Sequence, residues 1–223
     1  MHRRSILQII DSYQREWRRL AVEADAPYFE AEEAPVLDRF RSFIAATPDC
    51  CERDSPLGHL TGSALVITPD LNQVLLTLHR KLGKWLQLGG HADGSPLLHE
   101  VAMREANEES GLESLYFLPY ERVLWGGQTP GTDLEPGLPM PFDFDAHAIP
   151  ARPGEPAHVH YDVRFLIVAN HLDPLVISEE SRDLRWFGVE AARQTSKERS
   201  MERQFLKLAW LKQRLTEGDK ALG

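Results

Sequence analysis

Apolar residues at positions 6, 9, 10, 13, 17 and 20 recur at helical intervals. This spacing predicts an amphipathic helix over residues 3–22, with Ile6, Ile9, Ile10, Tyr13, Trp17 and Leu20 on its inner face. A second such helix is expected over Ala34–Ala45, turning Val36, Leu37, Phe40, Phe43 and Ile44 inward. "TPDCCERDSPLG" (47–58) then reads as a linker, so residues 1–57 form a helical N-terminal extension. Beyond it the period changes. "SALVIT" and "QVLLTLH" are apolar runs flanking "PDLN", a hairpin signal. Further strands are expected at "SLYFLP", "RVLWG", "FDFDAHAI", "HVHYDVRFLIVA" and "LRWFG". "GGQTPGTDLEPGLPMP" (126–141) reads as a loop bordering a pocket, and a closing helix is expected over 197–215. Helices, strands, one helix, more strands and a closing helix describe an α/β (or α+β) domain over 58–223, built on a mixed sheet.

Length and composition narrow this picture without changing it. The chain has 223 residues and is 42% hydrophobic, enough for one domain with an extension. A formal net charge of −9 argues against a broad footprint for nucleic acid, while leaving room for a small phosphorylated ligand held by bound cations. The two cysteines, Cys50 and Cys51, are adjacent, a poor arrangement for a disulfide, which favours a reducing compartment. "MHRRSILQIIDSYQREW" starts basic but is followed by no long apolar run, so neither a signal peptide nor a membrane span is expected. A soluble cytoplasmic protein is the expectation.

"REANEESGL" (104–112) carries the candidate chemistry. Ser95 suits an N-cap, Pro96 a first helical position and Gly111 a left-handed C-cap, which predicts a helix over Pro96–Ser110. At about 100° per residue, Leu98, Val101, Ala102, Glu105, Glu108 and Glu109 share one stripe. The stripe starts apolar and ends acidic. Carboxylates at i, i+3 and i+4 repel one another, so a cation should sit among them. Hard divalent ions prefer such oxygens, and Mg²⁺ also takes substrate phosphates. From periodicity alone, an acidic surface turn paired with arginines fits equally well.

The whole pattern resembles the Nudix hydrolase signature: Gly, five residues, Glu, seven residues, Arg-Glu-U-x-Glu-Glu-x-Gly-U, with U apolar. Gly90 stands at the correct distance before Arg104-Glu105-Ala106-Asn107-Glu108-Glu109-Ser110-Gly111-Leu112, and the first glutamate is replaced by Pro96. The resemblance covers about residues 58–190. It implies a mixed sheet between helices and hydrolysis of a diphosphate bond in a nucleoside diphosphate derivative or related compound. It also implies Mg²⁺ or Mn²⁺ held by Glu105, Glu108, Glu109 and the Gly90 carbonyl, with Glu105 the candidate to deprotonate the attacking water. A further acid from a later loop would be Glu180, with Glu179 as second choice. Without a motif glutamate at 96, Arg104 is left to find another partner, for which Asp93 is available. Arg80, Lys81 and Lys84 precede the glycine loop; they are candidates for phosphate contact and equally for solvated hairpin charges.

Nine histidines are generous for this length. His158 and His160 lie two apart on one strand and so share a face. His91 follows the glycine pair and His59 opens the first strand. These positions resemble the metal-binding positions of isopentenyl-diphosphate isomerase, a distant branch of the same fold. A nitrogen-rich site of His59, His91, His158 and His160 is therefore a candidate for Zn²⁺, Mn²⁺ or another transition ion, set against the ordinary alternation of a half-exposed strand. The isomerase's catalytic cysteine would fall at Gly89, which argues against that activity. In "FDFDAHAI", Asp143, Asp145 and His147 read either as substrate contacts or, preferentially, as a solvent-facing edge. Three functions follow: a diphosphate hydrolase first, an isomerase-like enzyme second, a ligand-sensing module without catalysis third. The extension is compatible with a pocket cap, an enlarged core or a homodimer interface.

Overall fold

The computed structural model describes residues 2–24, 29–120, 138–152, 154 and 156–221. Helix α1 spans His2–Ala24, and a π-helical turn at Phe29–Glu33 runs directly into α2, Ala34–Ala46. Strand β1 (Gly58–Ile67) is buried along its whole length. It lies parallel to β7 (His158–Val168), in register from Gly58 opposite Val159 to Ile67 opposite Val168. Burial on both faces accounts for its continuous apolar second half.

All other pairings are antiparallel. The opposite edge of β1 is shared: β4 (Leu88–His91) pairs with its first half and β2 (Gln73–His79) with its second. The far edge of β2 carries β8 (Ser181–Gly188), and its end carries β3 (Trp85–Leu86). β6 (Asp143–Ile149) runs along β7, and β5 (Tyr116–Phe117) pairs with the other end of β7. Helix α3 (Leu98–Ser110) lies against β1 and β4; α4 (Val189–Ser196) and α5 (Arg199–Ala221) close the chain.

Alternation along β1 gives the sheet two different faces. Leu60, Gly62 and Ala64 face α3. The approach is so close that a Cβ on Gly62 would lie 2.4 Å from the Leu98 carbonyl oxygen. The other face is polar. It runs from His59 and His160, through Thr61 and Asp162, to Ser63 and Arg164.

The helical extension packs over β6 and β7 on the α3 side, where Phe144 and Tyr161 point, and shares one hydrophobic cluster with the sheet. Tyr13 meets Phe144 at 4.7 Å between centroids, Phe40 meets Phe144 at 5.1 Å, and Trp17 meets Phe142 and Trp210 at 5.9 Å each. A fully buried lysine, Lys207 of α5, sits inside this packing. It bonds Glu33, the Phe142 carbonyl oxygen and the Tyr13 hydroxyl (2.9 Å), lies 3.4 Å from Asp143, and stands 3.8 Å over the Trp17 ring. Burial, the largest influence, pushes the Glu33 carboxyl up to about 8 against the lowering effect of Lys207. Burial also opposes ionisation of Asp143, but Arg203 and Lys207 outweigh it and hold that carboxyl below its ordinary range.

Several expectations are corrected. The acidic helix begins at Leu98, not Pro96. Ser95 does not cap it, because Leu97 intervenes in a non-helical conformation; the Ser95 hydroxyl oxygen accepts the Leu97 N–H at 3.2 Å instead. Gly111 does end the helix in the left-handed region, at φ 70°. The glycine-rich stretch contains β3 and β4, and α4 precedes the closing helix; none of these was expected. Asp143 is buried, paired with Arg164 and Arg203 at 3.1 and 2.8 Å, so the edge reading fails there: α5 covers that end of β6. "RVLWG" and residues 126–137 of the Pro/Gly loop lie outside the described residues.

Candidate functional site

Two adjacent glycines organise the site. On β4, Gly90 faces α3, where a Cβ would lie 2.4 Å from the Glu105 carboxyl carbon; Gly89 faces the other way, where a Cβ would lie 2.2 Å from the Ser63 hydroxyl oxygen. A side chain at either position would collide with a polar group, so only glycine lets the strand pass between them. The Glu105 carboxylate thereby rests against the Gly90 backbone. The Gly89 N–H donates to Glu109 Oε1 at 2.8 Å.

Glu105 and Glu109 turn inward and are half-buried, as their spacing predicts, whereas Glu108 does not. Burial pushes Glu109 up to about 8, a rise that the Gly89 N–H moderates and that Glu105 and Glu180 reinforce. Burial also raises Glu105, opposed by Arg104 and aided by Glu108 and Glu180. Glu180, in the turn just before β8, thus lies within electrostatic reach of both. Glu108 is on the exposed flank. Arg104 pairs with Glu105 at 2.8 Å and reaches the His91 carbonyl oxygen at 3.4 Å. Asp93 does not take the place of the missing motif glutamate by direct contact, because its carboxylate pairs with Arg53 at 3.1 Å.

The basic candidates are engaged elsewhere. Arg80 donates to the carbonyl oxygens of Glu179 (2.7 Å) and Ser181 (2.8 Å), and its own N–H to the Glu180 carbonyl oxygen (2.8 Å). It therefore clamps the segment that presents Glu180. Lys84 pairs with Glu198, and Lys81 is exposed. A groove of about 470 Å³ runs along the outer flank of α3, between Glu100, Met103 and Phe117, with Arg104 on its border.

The four histidines singled out above also come together, on the opposite face of the sheet. His59 lies 4.7 Å from His160, 4.9 Å from His158 and 4.9 Å from His91, between ring centroids. Burial, then the neighbouring imidazoles, lowers the His160 pKa to about 2, so the ring is neutral. A fifth ring joins them: His147, opposite His160 across β6 and β7, at 5.5 Å. The sequence held the signal for it, a histidine at strand spacing from Asp145, but not the register that turns it toward the cluster. Among the described residues, His59, His158 and His160 form a group whose candidate ligand atoms all lie within 4.8 Å of one another. Among the described residues, the glutamates form no group that meets this spacing. Asp162, next along the polar face, is saturated by Thr61, Ser63, Gln87 and Arg164 at 2.7–3.0 Å and takes no part in the cluster.

A family model described as NUDIX domain matches residues 58–209, more than half of the chain. No curated protein matches it. Among solved structures, the chain is similar to an Ap4A hydrolase binary complex from C. elegans (15% identity, covering 67% of this chain and 94% of that one, TM-score 0.48). It is also similar to a NUDIX-family hydrolase from Clostridium perfringens (24% identity, 69% and 97%, TM-score 0.45). A third is the dihydroneopterin triphosphate pyrophosphohydrolase of E. coli (17% identity, 66% and 92%, TM-score 0.45).

Proposed function

The chain belongs to the Nudix family, and from that premise we propose that it is a metal-dependent pyrophosphohydrolase acting on a diphosphate bond in a nucleoside diphosphate derivative or related small compound. The observation that carries the reading is the pairing of Glu105 and Glu109 with the two glycines. Two half-buried carboxylates are held against a strand backbone by its lack of side chains, with Glu180 close by. Burying carboxylates is costly, and of these two only Glu105 has a basic partner, Arg104, so a divalent cation among them would offset that cost.

Glu105, Glu108, Glu109 and Glu180, with the Gly90 carbonyl oxygen, fit the oxygen-rich donor set that Mg²⁺ or Mn²⁺ prefers. A bound ion there would neutralise diphosphate oxygens and acidify a water. The chain's own groups do the rest. Glu109 is oriented by the Gly89 N–H. Glu105 is tethered by Arg104 and held against Gly90, placed to take a proton from the attacking water. Its burial-raised pKa makes the ionised form a better base. The water oxygen bonds to phosphorus, the bridging P–O bond breaks, and the departing phosphate carries the electron pair away. Arg80 holds the backbone that carries Glu180, and in this reading serves positioning rather than substrate contact.

The test is a panel of diphosphate compounds incubated with Mg²⁺, Mn²⁺ or Zn²⁺ and followed by phosphorus NMR. Hydrolysis splits the diphosphate signals, whereas an isomerase would leave the diphosphate intact. Full activity in Glu108→Gln and Glu109→Gln would sink the proposal. Binding without turnover across the panel would favour a sensing module.

A further inference from the structure

We propose that His59, His158 and His160 form a second metal site, specific for a late first-row divalent ion such as Zn²⁺ or Co²⁺ and separate from the acidic stripe. The inference goes beyond the hydrolase reading and does not rest on it.

Strand register builds the site. His59 stands directly opposite His160 in the parallel β1–β7 pair, and His158 lies two residues back on the same face of β7. The three rings form a nearly equilateral triangle, with centroids 4.7, 4.9 and 5.1 Å apart. Imidazoles radiating from one tetrahedral ion at a Zn–N distance near 2.0 Å place their centroids about 5 Å apart. The ring spacing is therefore that of a ligated set, and one candidate ligand atom from each ring already lies within 4.8 Å of the others. His59 and His158 are buried, so the site is shielded from bulk water on that side.

Tautomers point the same way. The His158 Nδ1–H donates to the Pro156 carbonyl oxygen at 2.9 Å, which leaves Nε2 as the lone-pair nitrogen. His147, whose ring lies 5.5 Å from that of His160, binds Asp145 through Nδ1 at 3.0 Å, which leaves its Nε2 uncommitted to that carboxylate. A ring nitrogen anchored by a carbonyl or carboxylate while the other faces an ion is the usual support of a metal-binding histidine. His91 is different. Arg53 donates to its Nδ1 at 2.7 Å, so that nitrogen's lone pair is already used. The site is thus three histidines with a fourth position open toward His147, not the four-histidine set read from the sequence. Three neutral nitrogen donors and no carboxylate among them select Zn²⁺, Co²⁺, Ni²⁺ or Cu²⁺ over Mg²⁺ and Ca²⁺.

The experiment uses the full chain without a histidine tag. Bound metal is measured by mass spectrometry after growth with Zn²⁺, and Co²⁺ is titrated into metal-stripped protein while its visible d–d bands are followed. The expected result is a single tight equivalent with the intense bands of a tetrahedral ion. His160→Ala and the milder His160→Gln should each weaken binding by at least roughly tenfold, with circular dichroism confirming that the Gln variant is folded. Glu109→Gln should leave Zn²⁺ binding unchanged, which separates this site from the acidic one. Zn²⁺ binding that is undetectable, indifferent to both His160 variants, or abolished by Glu109→Gln would overturn the proposal.

Discussion

Replacing Lys207 with methionine tests how the helical extension is joined to the catalytic domain. The ammonium is fully buried and satisfies Glu33 from the extension together with Phe142 and Asp143 from the sheet side. Methionine fills similar volume but removes the charge, leaving the Glu33 carboxylate with Tyr13 (2.6 Å) and the more distant Arg203 (3.4 Å). Breaking one side of a buried ion pair costs about 3–5 kcal/mol. For a domain of this size, each kcal/mol lowers the melting temperature by roughly 2–4 °C, so a fall of about 6–20 °C is expected. Glu33 supplies a check on mechanism. Burial holds its carboxyl at about 8 with Lys207 beside it, and losing the lysine raises it further, so below that value the carboxyl is protonated with or without the lysine. A group raised in the folded state favours folding below its unfolded pKa and loses that contribution as pH rises through the folded value. The deficit of Lys207→Met should therefore shrink as pH is lowered from about 8 and grow above it. Adding Glu33→Gln should restore about 1–3 kcal/mol, the coupling expected of residues in direct contact. Urea and thermal denaturation followed by tryptophan fluorescence, with Trp17 beside the lysine, give these numbers. A single variant within about 1 kcal/mol of the parent, or a double variant as unstable as the sum of the singles, would refute the account.

Three further outcomes follow from the site. Gly90→Ala should cut turnover severely, because its Cβ meets the Glu105 carboxylate, yet destabilise the fold by only about 1 kcal/mol, since that carboxylate end can move; urea titration alongside a kinetic assay separates the two. Glu109 has its carboxyl raised from its ordinary value of 4.5 to about 8, so metal-free stability should decline as pH rises between those values. Because metal binding must displace that proton below about 8, stabilisation by Mg²⁺ should grow with pH across the range; calorimetric melts with and without Mg²⁺ would show it, and a pH-independent shift would count against it. Arg80→Ala should lower kcat with little change in KM if the guanidinium positions Glu180, whereas a rise in KM alone would return Arg80 to phosphate binding.

Local periodicity made much of this legible. The inward turn of Glu105 and Glu109 follows from helix geometry alone, and the shared face of His158 and His160 from strand alternation. What sequence spacing does not encode is which strand lies beside which. That is why His147 reads as an edge residue, when register brings it beside His160, and why the contact of Arg53 with His91 is not foreseen. Lys207 shows the same limit more sharply. On an amphipathic helix a lysine reads as solvated, and its burial depends on Glu33, 174 residues away in the chain. The unexpected strands β3 and β4 have little propensity of their own; pairing with β2 and β1 makes them strands.

The glycine pair on β4 acts as a partition one peptide thick. On one side of it lies the acidic stripe; on the other, one residue further along, His91 borders the imidazole cluster. Side chains at 89 and 90 are excluded from both directions, by Ser63 on one side and Glu105 on the other, so the strand is reduced to main chain there. A change in the tilt of that peptide plane would be felt on both sides at once. A shift of that strand would therefore move the Glu105 and Glu109 supports and the backbone that carries His91 together.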